Sequence, residues 1–129
     1  MKIFLDTADV DSIASRFATG LIDGVTTNPT LIRKSGKDPH DVYRGLADLG
    51  IVDISMEVVG TVGEMYSEAI NLHQEYKEVA TIKLPCTPDG LQVCKSLTDV
   101  GIRTNVTLIF SAAQAILAAK AGATYVSPF

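Results

Sequence analysis

The 129-residue sequence has few cysteines, no excess of basic residues and no long apolar segment. Its two cysteines, Cys86 and Cys94, lack the spacing of metal ligands and have no histidine nearby, which predicts reduced thiols in a cytosolic protein. The net charge of −4, with dispersed lysines, argues against nucleic acid as a partner. No apolar run approaches the roughly 18 residues that cross a bilayer, and we expect the first residues to begin a strand, not a signal peptide.

The sequence also lacks low-complexity segments and linkers, so we expect a single domain over residues 1–129. With 47% hydrophobic and 20% charged residues, a chain of this length buries one core. The most loop-like stretch is Arg33–Lys37, which predicts a solvated basic turn.

The sequence contains six short apolar runs. Within each run, successive side chains would point to opposite faces of a strand. The runs are Lys2–Asp6, Gly24–Asn28, Asp53–Val59, Val79–Leu84, Arg103–Leu108 and Tyr125–Ser127. One parity is almost wholly apolar and is expected to pack against helices; it comprises Ile3, Leu5, Val25, Ile54, Met56, Val58, Ile82, Leu84, Val106, Leu108 and Val126. The other parity has carboxylates, amides, hydroxyls and one lysine near its C-terminal end. This pattern is typical of a parallel α/β enzyme with its site at the strand C-termini.

The segments between the runs have the apolar spacing and the end signals of helices. Asp38-Pro39 and Thr87-Pro88 each place a capping residue before a proline. Two further segments have the sequence of a capping box, Thr61 with Glu64 and Ser111 with Gln114. Strand and helix therefore alternate five times before a sixth strand, and right-handed crossovers join the strands into one parallel sheet.

The spacing of the strand ends predicts an incomplete TIM (β/α)8 barrel, with about five βα units and a sixth strand. Polar strand ends lie 20 to 29 residues apart, and eight such units need roughly 200 residues. The sequence is thus expected to be two units short of closure. The edge runs Lys2–Asp6 and Tyr125–Ser127 are then expected to expose unpaired backbone groups, and the inner sheet face to lie open to water. We therefore expect a homo-oligomer.

Four segments strongly resemble the transaldolase family, in the short branch that also contains fructose-6-phosphate aldolase. They are Leu5–Asp9, Gly24–Thr30, Ile82–Pro85 and Asn105–Phe110, and the resemblance covers essentially the whole chain. Two of these motifs, Thr-Thr-Asn-Pro after a strand and Ile-Lys-Leu-Pro on a strand, seldom occur together by chance. Their combination therefore makes the resemblance to the family specific. The resemblance implies a class I aldolase barrel, in which a strand lysine forms a Schiff base with a ketose phosphate without metal or another cofactor.

Lys83 is the candidate nucleophile, because a Schiff-base lysine must be neutral to attack and a partly desolvated strand face favours the neutral amine. Asp6 and Glu57 share its face and can transfer protons, with Thr107 able to hold a water between them. Two alternatives are open. Lys83 can instead extend from a strand end to water, and each carboxylate can merely cap the helix that follows it.

Asn28, Asn105 and Ser127 are suited to bind sugar hydroxyls, and the resemblance implies that Thr26 lines the pocket and Phe129 lies over the substrate. A turn at Asn28 before Pro29 is the structural alternative. Glu57 stands where the aldolase branch has glutamine, and Phe129 where it has tyrosine. Both favour group transfer between sugar phosphates, as in the pentose phosphate pathway. The arginine and the serine that hold the phosphate in the family follow Phe129 and are absent from this sequence.

Three hypotheses follow. The first is a transaldolase-type enzyme that uses Lys83, with fructose-6-phosphate aldolase activity as the alternative within the family. The second is a non-catalytic partial barrel that associates through its open sheet edges. The third, a binding protein of flavodoxin type, requires a glycine-rich first loop, and Asp6-Thr7-Ala8-Asp9 is unlike such a loop. The residue pattern leaves the first two open.

Overall fold

Six parallel strands form one sheet in the computed structural model, which describes all 129 residues. The strands are β1 (Phe4–Asp6), β2 (Gly24–Thr26), β3 (Ile54–Glu57), β4 (Ala80–Pro85), β5 (Thr104–Ile109) and β6 (Tyr125–Pro128). The helices are α1 (Val10–Phe17), α2 (Pro29–Ser35), α3 (Pro39–Asp48), α4 (Val62–Tyr76), α5 (Pro88–Asp99) and α6 (Ala112–Lys120). Each strand pairs with the next in chain order. The fold is an incomplete (β/α) barrel, which confirms the predicted fold class.

Four of the helices begin where the sequence signals predict. The predicted N-cap residues all cap their helices: Asp38 at α3, Thr61 at α4, Thr87 at α5 and Ser111 at α6. Glu64 completes the capping box of α4. Gln114 does not complete the box of α6, because its Oε1 accepts a hydrogen bond from the Phe110 N–H at 2.7 Å instead. None of the helices combines the length and the apolar character that crossing a membrane requires.

Helix α2 corrects the prediction of a solvated turn at Arg33–Lys37. Asn28 has an extended backbone, and its side-chain oxygen accepts a hydrogen bond from the Leu31 N–H at 2.9 Å. Pro29 occupies the first turn, and Gly36 ends the helix with a left-handed φ of 70°. Arg33 and Lys34 lie in the last helical turn, where positive charge suits the helix dipole, and Lys37 follows the C-cap. The basic cluster is therefore a helix end.

The core lies between the sheet and the helices that cover its outer face. The buried apolar residues of the inner strands are Val25, Ile54, Met56, Ala80, Ile82, Leu84, Val106 and Ile109. Three residues that share their parity are exposed instead: Ile3, Leu108 and Val126. Ile3 precedes β1 and Val126 lies on β6, so both belong to the edges of the sheet. Leu108 lies on the inner strand β5, where the pairing with β6 is irregular.

A buried carboxylate joins the N-terminal ends of the strands. Asp53, only 2% exposed, accepts hydrogen bonds from Thr81 Oγ1 at 2.7 Å and from the Tyr125 hydroxyl at 2.8 Å. Arg103 Nη1 donates to the same carboxylate at 2.9 Å. Lys2 Nζ lies 3.8 Å from it and donates to the Tyr125 hydroxyl at 2.9 Å. We call these five residues the floor cluster. It connects the segment before β1 with residues of β4 and β6 and with the residues just before β3 and β5.

The two edge strands also meet through an aromatic contact inside the curved sheet. The rings of Phe4 and Tyr125 pack edge to face with centroids 5.4 Å apart. Gly24, the register partner of Phe4 on β2, leaves room for this ring, since a Cβ there would lie 2.3 Å from it. Ser55 and Asn105, on the inner face, are 0% and 2% exposed. The expectation that the inner face lies open to water is therefore wrong for the middle of the sheet, because curvature closes it.

Removing the negative charge of the floor cluster should destabilise the fold. We expect Asp53→Asn to lower the free energy of unfolding by about 2–4 kcal/mol, below the value for a fully buried pair because the Arg103 side chain is 27% exposed. The measurement is urea unfolding followed by circular dichroism. Asp99→Asn, which removes a carboxylate that is 58% exposed and pairs with Lys95, is the control and should cause no measurable change. Equal stability of both variants would contradict the role of the floor cluster.

Candidate active site

Lys83 lies buried on β4 with two oxygen partners. Its side chain is 8% exposed, and Nζ lies 3.2 Å from Glu57 Oε2. Nζ also donates a hydrogen bond to the Thr27 carbonyl oxygen at 2.9 Å. The neighbours on either side, Ile82 and Leu84, point into the core. The alternative in which Lys83 extends from a strand end to water is therefore wrong.

Strand register brings Lys83 and Glu57 together. The two residues are direct partners in the β3–β4 pairing, so their side chains leave the same face of adjacent strands. Thr27 continues the β2–β3 ladder beyond the end of β2, where its N–H and its hydroxyl both donate to the Ser55 carbonyl, at 3.1 and 2.8 Å. These bonds fix the backbone whose carbonyl accepts from Lys83. Sequence reasoning missed Thr27, because its contribution comes from a backbone oxygen that no side-chain pattern reports.

A cavity of about 440 Å³ opens at the C-terminal ends of the strands, a size typical of small-molecule sites. Its lining consists of Asn28, Pro29, Thr30, Leu31, Glu57, Lys83, Thr107, Leu108 and Phe129. Five of these were predicted as site residues: Asn28, Glu57, Lys83, Thr107 and Phe129. Thr107 is 4% exposed and lies on β5, the strand next to that of Lys83. The cavity therefore combines an amine, a carboxylate, a hydroxyl and an amide.

Three other predicted residues line a second, smaller hollow of about 200 Å³, namely Thr26, Asn105 and Ser127. Ser127 Oγ donates to Asn105 Oδ1 at 2.8 Å, and Asn105 Nδ2 donates to Ser55 Oγ at 3.1 Å. These bonds tie together β6, β5 and β3 on the inner face. The structure thus groups these side chains with one another, apart from the cavity that contains Lys83.

Asp6 lines neither cavity. It is exposed at the end of β1, and its Oδ1 accepts a hydrogen bond from Thr26 Oγ1 at 2.8 Å. The N-cap of the following helix is Asp9, and the helix after Glu57 is capped by Thr61. The alternative in which Asp6 and Glu57 serve as helix caps is therefore wrong.

Aromatic and cap contacts define the mouth of the larger cavity. Phe129 is 79% exposed and stacks on Phe110, with ring centroids 5.3 Å apart. Asn28 Oδ1 is already engaged in capping α2, so its amide N–H₂ is the part that remains for a ligand. The structural role foreseen for Asn28 is thus helix capping, in place of a simple turn.

An outer cavity of about 410 Å³ lies on the far side of Glu57, between α2, α3 and α4. Burial raises the pKa of the Tyr43 phenol, which lines this cavity, to about 12, so Tyr43 stays neutral at physiological pH. Burial also raises the pKa of Glu68 in the same lining. Neither residue was predicted from the sequence, because helix periodicity marks Tyr43 only as a core position.

Comparison with known proteins agrees with this geometry. Residues 3–129 match the family described as Transaldolase/Fructose-6-phosphate aldolase. A probable transaldolase of Geobacter metallireducens is 56% identical over 132 residues, and one of Methanococcus maripaludis is 52% identical over 130. In both comparisons all of this chain is covered, but only 60% of the relative. The chain thus spans about three fifths of the length of these relatives.

Solved structures with a similar fold include the carboxyl transferase domain of Rhizobium etli pyruvate carboxylase with pyruvate. The TM-score is 0.65 at 14% sequence identity, and the match covers 98% of this chain and 26% of that chain. At this identity the likeness concerns the fold alone. The match of residues 3–129 to the family model and the identities above 50% indicate common ancestry. On these grounds the chain belongs to the transaldolase/fructose-6-phosphate aldolase family.

Proposed function

We propose that Lys83 is the Schiff-base nucleophile of a transaldolase-type enzyme, which transfers a dihydroxyacetone unit between sugar phosphates in the pentose phosphate pathway. The observation that carries this proposal is the buried Lys83 amine, 3.2 Å from the Glu57 carboxylate in a cavity at the strand C-termini. Family membership and relatives named probable transaldolase support the same chemistry. The proposed location is the cytoplasm, where the free thiols of Cys86 and Cys94 stay reduced.

The first step is formation of the imine. Lys83 passes a proton to Glu57 and attacks the ketose carbonyl carbon. A C–N bond forms as the carbonyl π bond breaks, and the oxygen takes the proton that the attacking nitrogen gives up. Water then leaves this carbinolamine as Glu57 returns a proton to the departing hydroxyl. The Thr27 carbonyl holds the amine in position, and Thr107, on the cavity wall, holds a water that relays the proton.

The second step is cleavage of the carbon–carbon bond. The protonated imine accepts the bonding electron pair, while a carboxylate takes the proton from the hydroxyl on the departing aldehyde carbon. We assign this role to Asp6, which lies on the inner side of the sheet with one oxygen bound by Thr26. Asn28 binds one of the remaining hydroxyls in the cavity of Lys83, and Asn105 and Ser127 bind the others in the hollow that Thr26 also lines. Phe129 covers the substrate. Reversal with a second aldehyde completes the transfer.

Imine trapping tests the assignment of Lys83. We expect incubation with fructose 6-phosphate or dihydroxyacetone, followed by borohydride reduction, to leave one stable adduct on the Lys83 peptide. Dihydroxyacetone tests the amine independently of any phosphate contact. Lys83→Met is expected to abolish the adduct, whereas Lys95→Met, which changes an exposed lysine on α5, should retain it. Peptide mass mapping that places the adduct on Lys34, Lys95 or Lys120 in preference to Lys83 would contradict the proposal.

The two carboxylates should act at different steps. Glu57→Gln removes the base beside Lys83, so we expect imine formation to slow by about 10²–10⁴-fold. Asp6→Asn changes a residue on β1, three strands from Lys83, and should leave imine formation near the wild-type rate. It should instead slow by a similar factor the release of the three-carbon aldehyde phosphate from fructose 6-phosphate. Single-turnover trapping and aldehyde release measure the two steps. Equal slowing of imine formation by both changes would refute this division.

We further propose that the chain forms a homo-oligomer through the edges of its sheet. Strands β1 and β6 each pair with one neighbour only, and Ile3 and Val126 expose apolar surface beside those edges. Light scattering over a wide dilution series should give more than one chain per particle. Val126→Asp should shift the particle towards the monomer, while Val52→Asp, at an exposed residue before β3, should not. A cooperative monomer at every concentration would overturn this expectation.

A further inference from the structure

Strand β5 contains a bulge beside Lys83. Val106 pairs with Val126 and Ile109 pairs with Pro128, so three steps along β5 correspond to two steps along β6. One extra residue therefore lies on β5 between these pairs. Leu108 falls within it and has a φ of 60°.

The bulge reverses the direction in which Leu108 points. In a regular strand Leu108 would share the helix-facing parity of Val106, as the alternation of the sequence predicts. Instead Ile109 takes the next core position, at 2% exposure, and Leu108 is 40% exposed and lines the cavity that contains Lys83. The prediction that Leu108 packs against helices is therefore wrong, because parity counting assumes an uninterrupted strand.

The backbone of Leu108 is strained. A positive φ brings Cβ close to the neighbouring carbonyl oxygen, so glycine and asparagine are the residues that usually adopt it. The other non-glycine residue with positive φ, Lys77, lies outside the sheet, at the end of helix α4. Leu108 has it inside a strand, in the lining of the cavity that contains the candidate nucleophile. Strain of this kind indicates a functional constraint.

The side chain of Leu108 extends an apolar side of the cavity. The polar lining residues are Asn28, Thr30, Glu57, Lys83 and Thr107, and the apolar lining residues are Pro29, Leu31, Leu108 and Phe129. A hydroxylated carbon chain presents hydroxyl groups to the first set and C–H groups to the second. Because Leu108 lines the same cavity as Lys83, its branched side chain takes up space that a substrate bound to Lys83 would otherwise use.

We propose that the β5 bulge makes Leu108 a specificity-determining residue, whose side chain admits unbranched hydroxyketones to Lys83 and excludes those branched next to the carbonyl. This inference rests on the proposed role of Lys83 as the imine-forming residue. Lys83 would form the imine, and Leu108 would limit the size of the carbonyl substrate. Leu108 has no hydrogen-bonding or acid–base function in this proposal.

The test compares two neutral probes, hydroxyacetone and its branched analogue 1-hydroxy-3-methyl-2-butanone, in imine trapping at Lys83 of the 129-residue chain. We expect Leu108→Ala and Leu108→Gly to raise the ratio of branched to unbranched adduct by at least about tenfold. The ratio is insensitive to a general loss of Lys83 reactivity. Leu117→Ala, which shortens an exposed leucine on α6 away from the cavity, is the matched control and should leave the ratio unchanged.

Thermal unfolding of the same variants tests the strain separately. A protein with glycine inside a strand is normally less stable than the same protein with alanine there. At a position with positive φ this order should reverse. We therefore expect Leu108→Gly to melt above Leu108→Ala. An unchanged adduct ratio in both variants, with wild-type adduct present at Lys83, would overturn this inference alone. Absence of any wild-type adduct with hydroxyacetone would overturn the proposed function, and this inference with it.

Discussion

The buried carboxylate of Asp53 is the interaction on which the curvature of the sheet depends. A carboxylate in this position needs a partner for each oxygen, and its donors come from different strands. Satisfying Asp53 therefore draws the N-terminal ends of β4, β5 and β6 towards the start of β3. Because the strands are continuous, the same curvature brings their C-terminal ends around the cavity. The floor cluster contributes no chemistry, yet the position of Lys83 relative to its neighbours follows from it.

The register of β3 and β4 places the Glu57 carboxylate beside the Lys83 amine. Glu57 and Lys83 face each other because β3 and β4 pair without a shift. A slip of one residue would move Glu57 to the helix side and leave the Lys83 amine buried without a carboxylate. Apolar residues on the opposite face, Met56 and Ile82 among them, oppose that slip because they would lose their burial. The packing of the outer face thus secures the ion pair on the inner face.

Much of this fold could be predicted from the sequence, because alternation and capping signals are local. Six strands, their parallel order and four N-caps follow from such signals, and so does the position of Lys83 on an inner face. Helix α2 could not be predicted, since Asn28-Pro29 is equally suited to a turn. The contact between Lys2 and Tyr125 joins residues 123 positions apart, which local patterns do not report. Leu108 escaped prediction because one inserted residue changes the parity of a strand.

The sequential strand order has a consequence for the growing chain during synthesis. Each strand finds its partner in the strand just before it, so pairing can proceed as the chain leaves the ribosome. The hydrogen bonds of Asp53 are an exception, because they join it to residues far along the chain. Its donors, Thr81, Arg103 and Tyr125, are all synthesised after it. Until β6 docks, Asp53 lacks the hydrogen bond from the Tyr125 hydroxyl, and Phe4 lacks its contact with the Tyr125 ring. The position of β1 in the curved sheet thus depends on β6, a strand that is synthesised long after it.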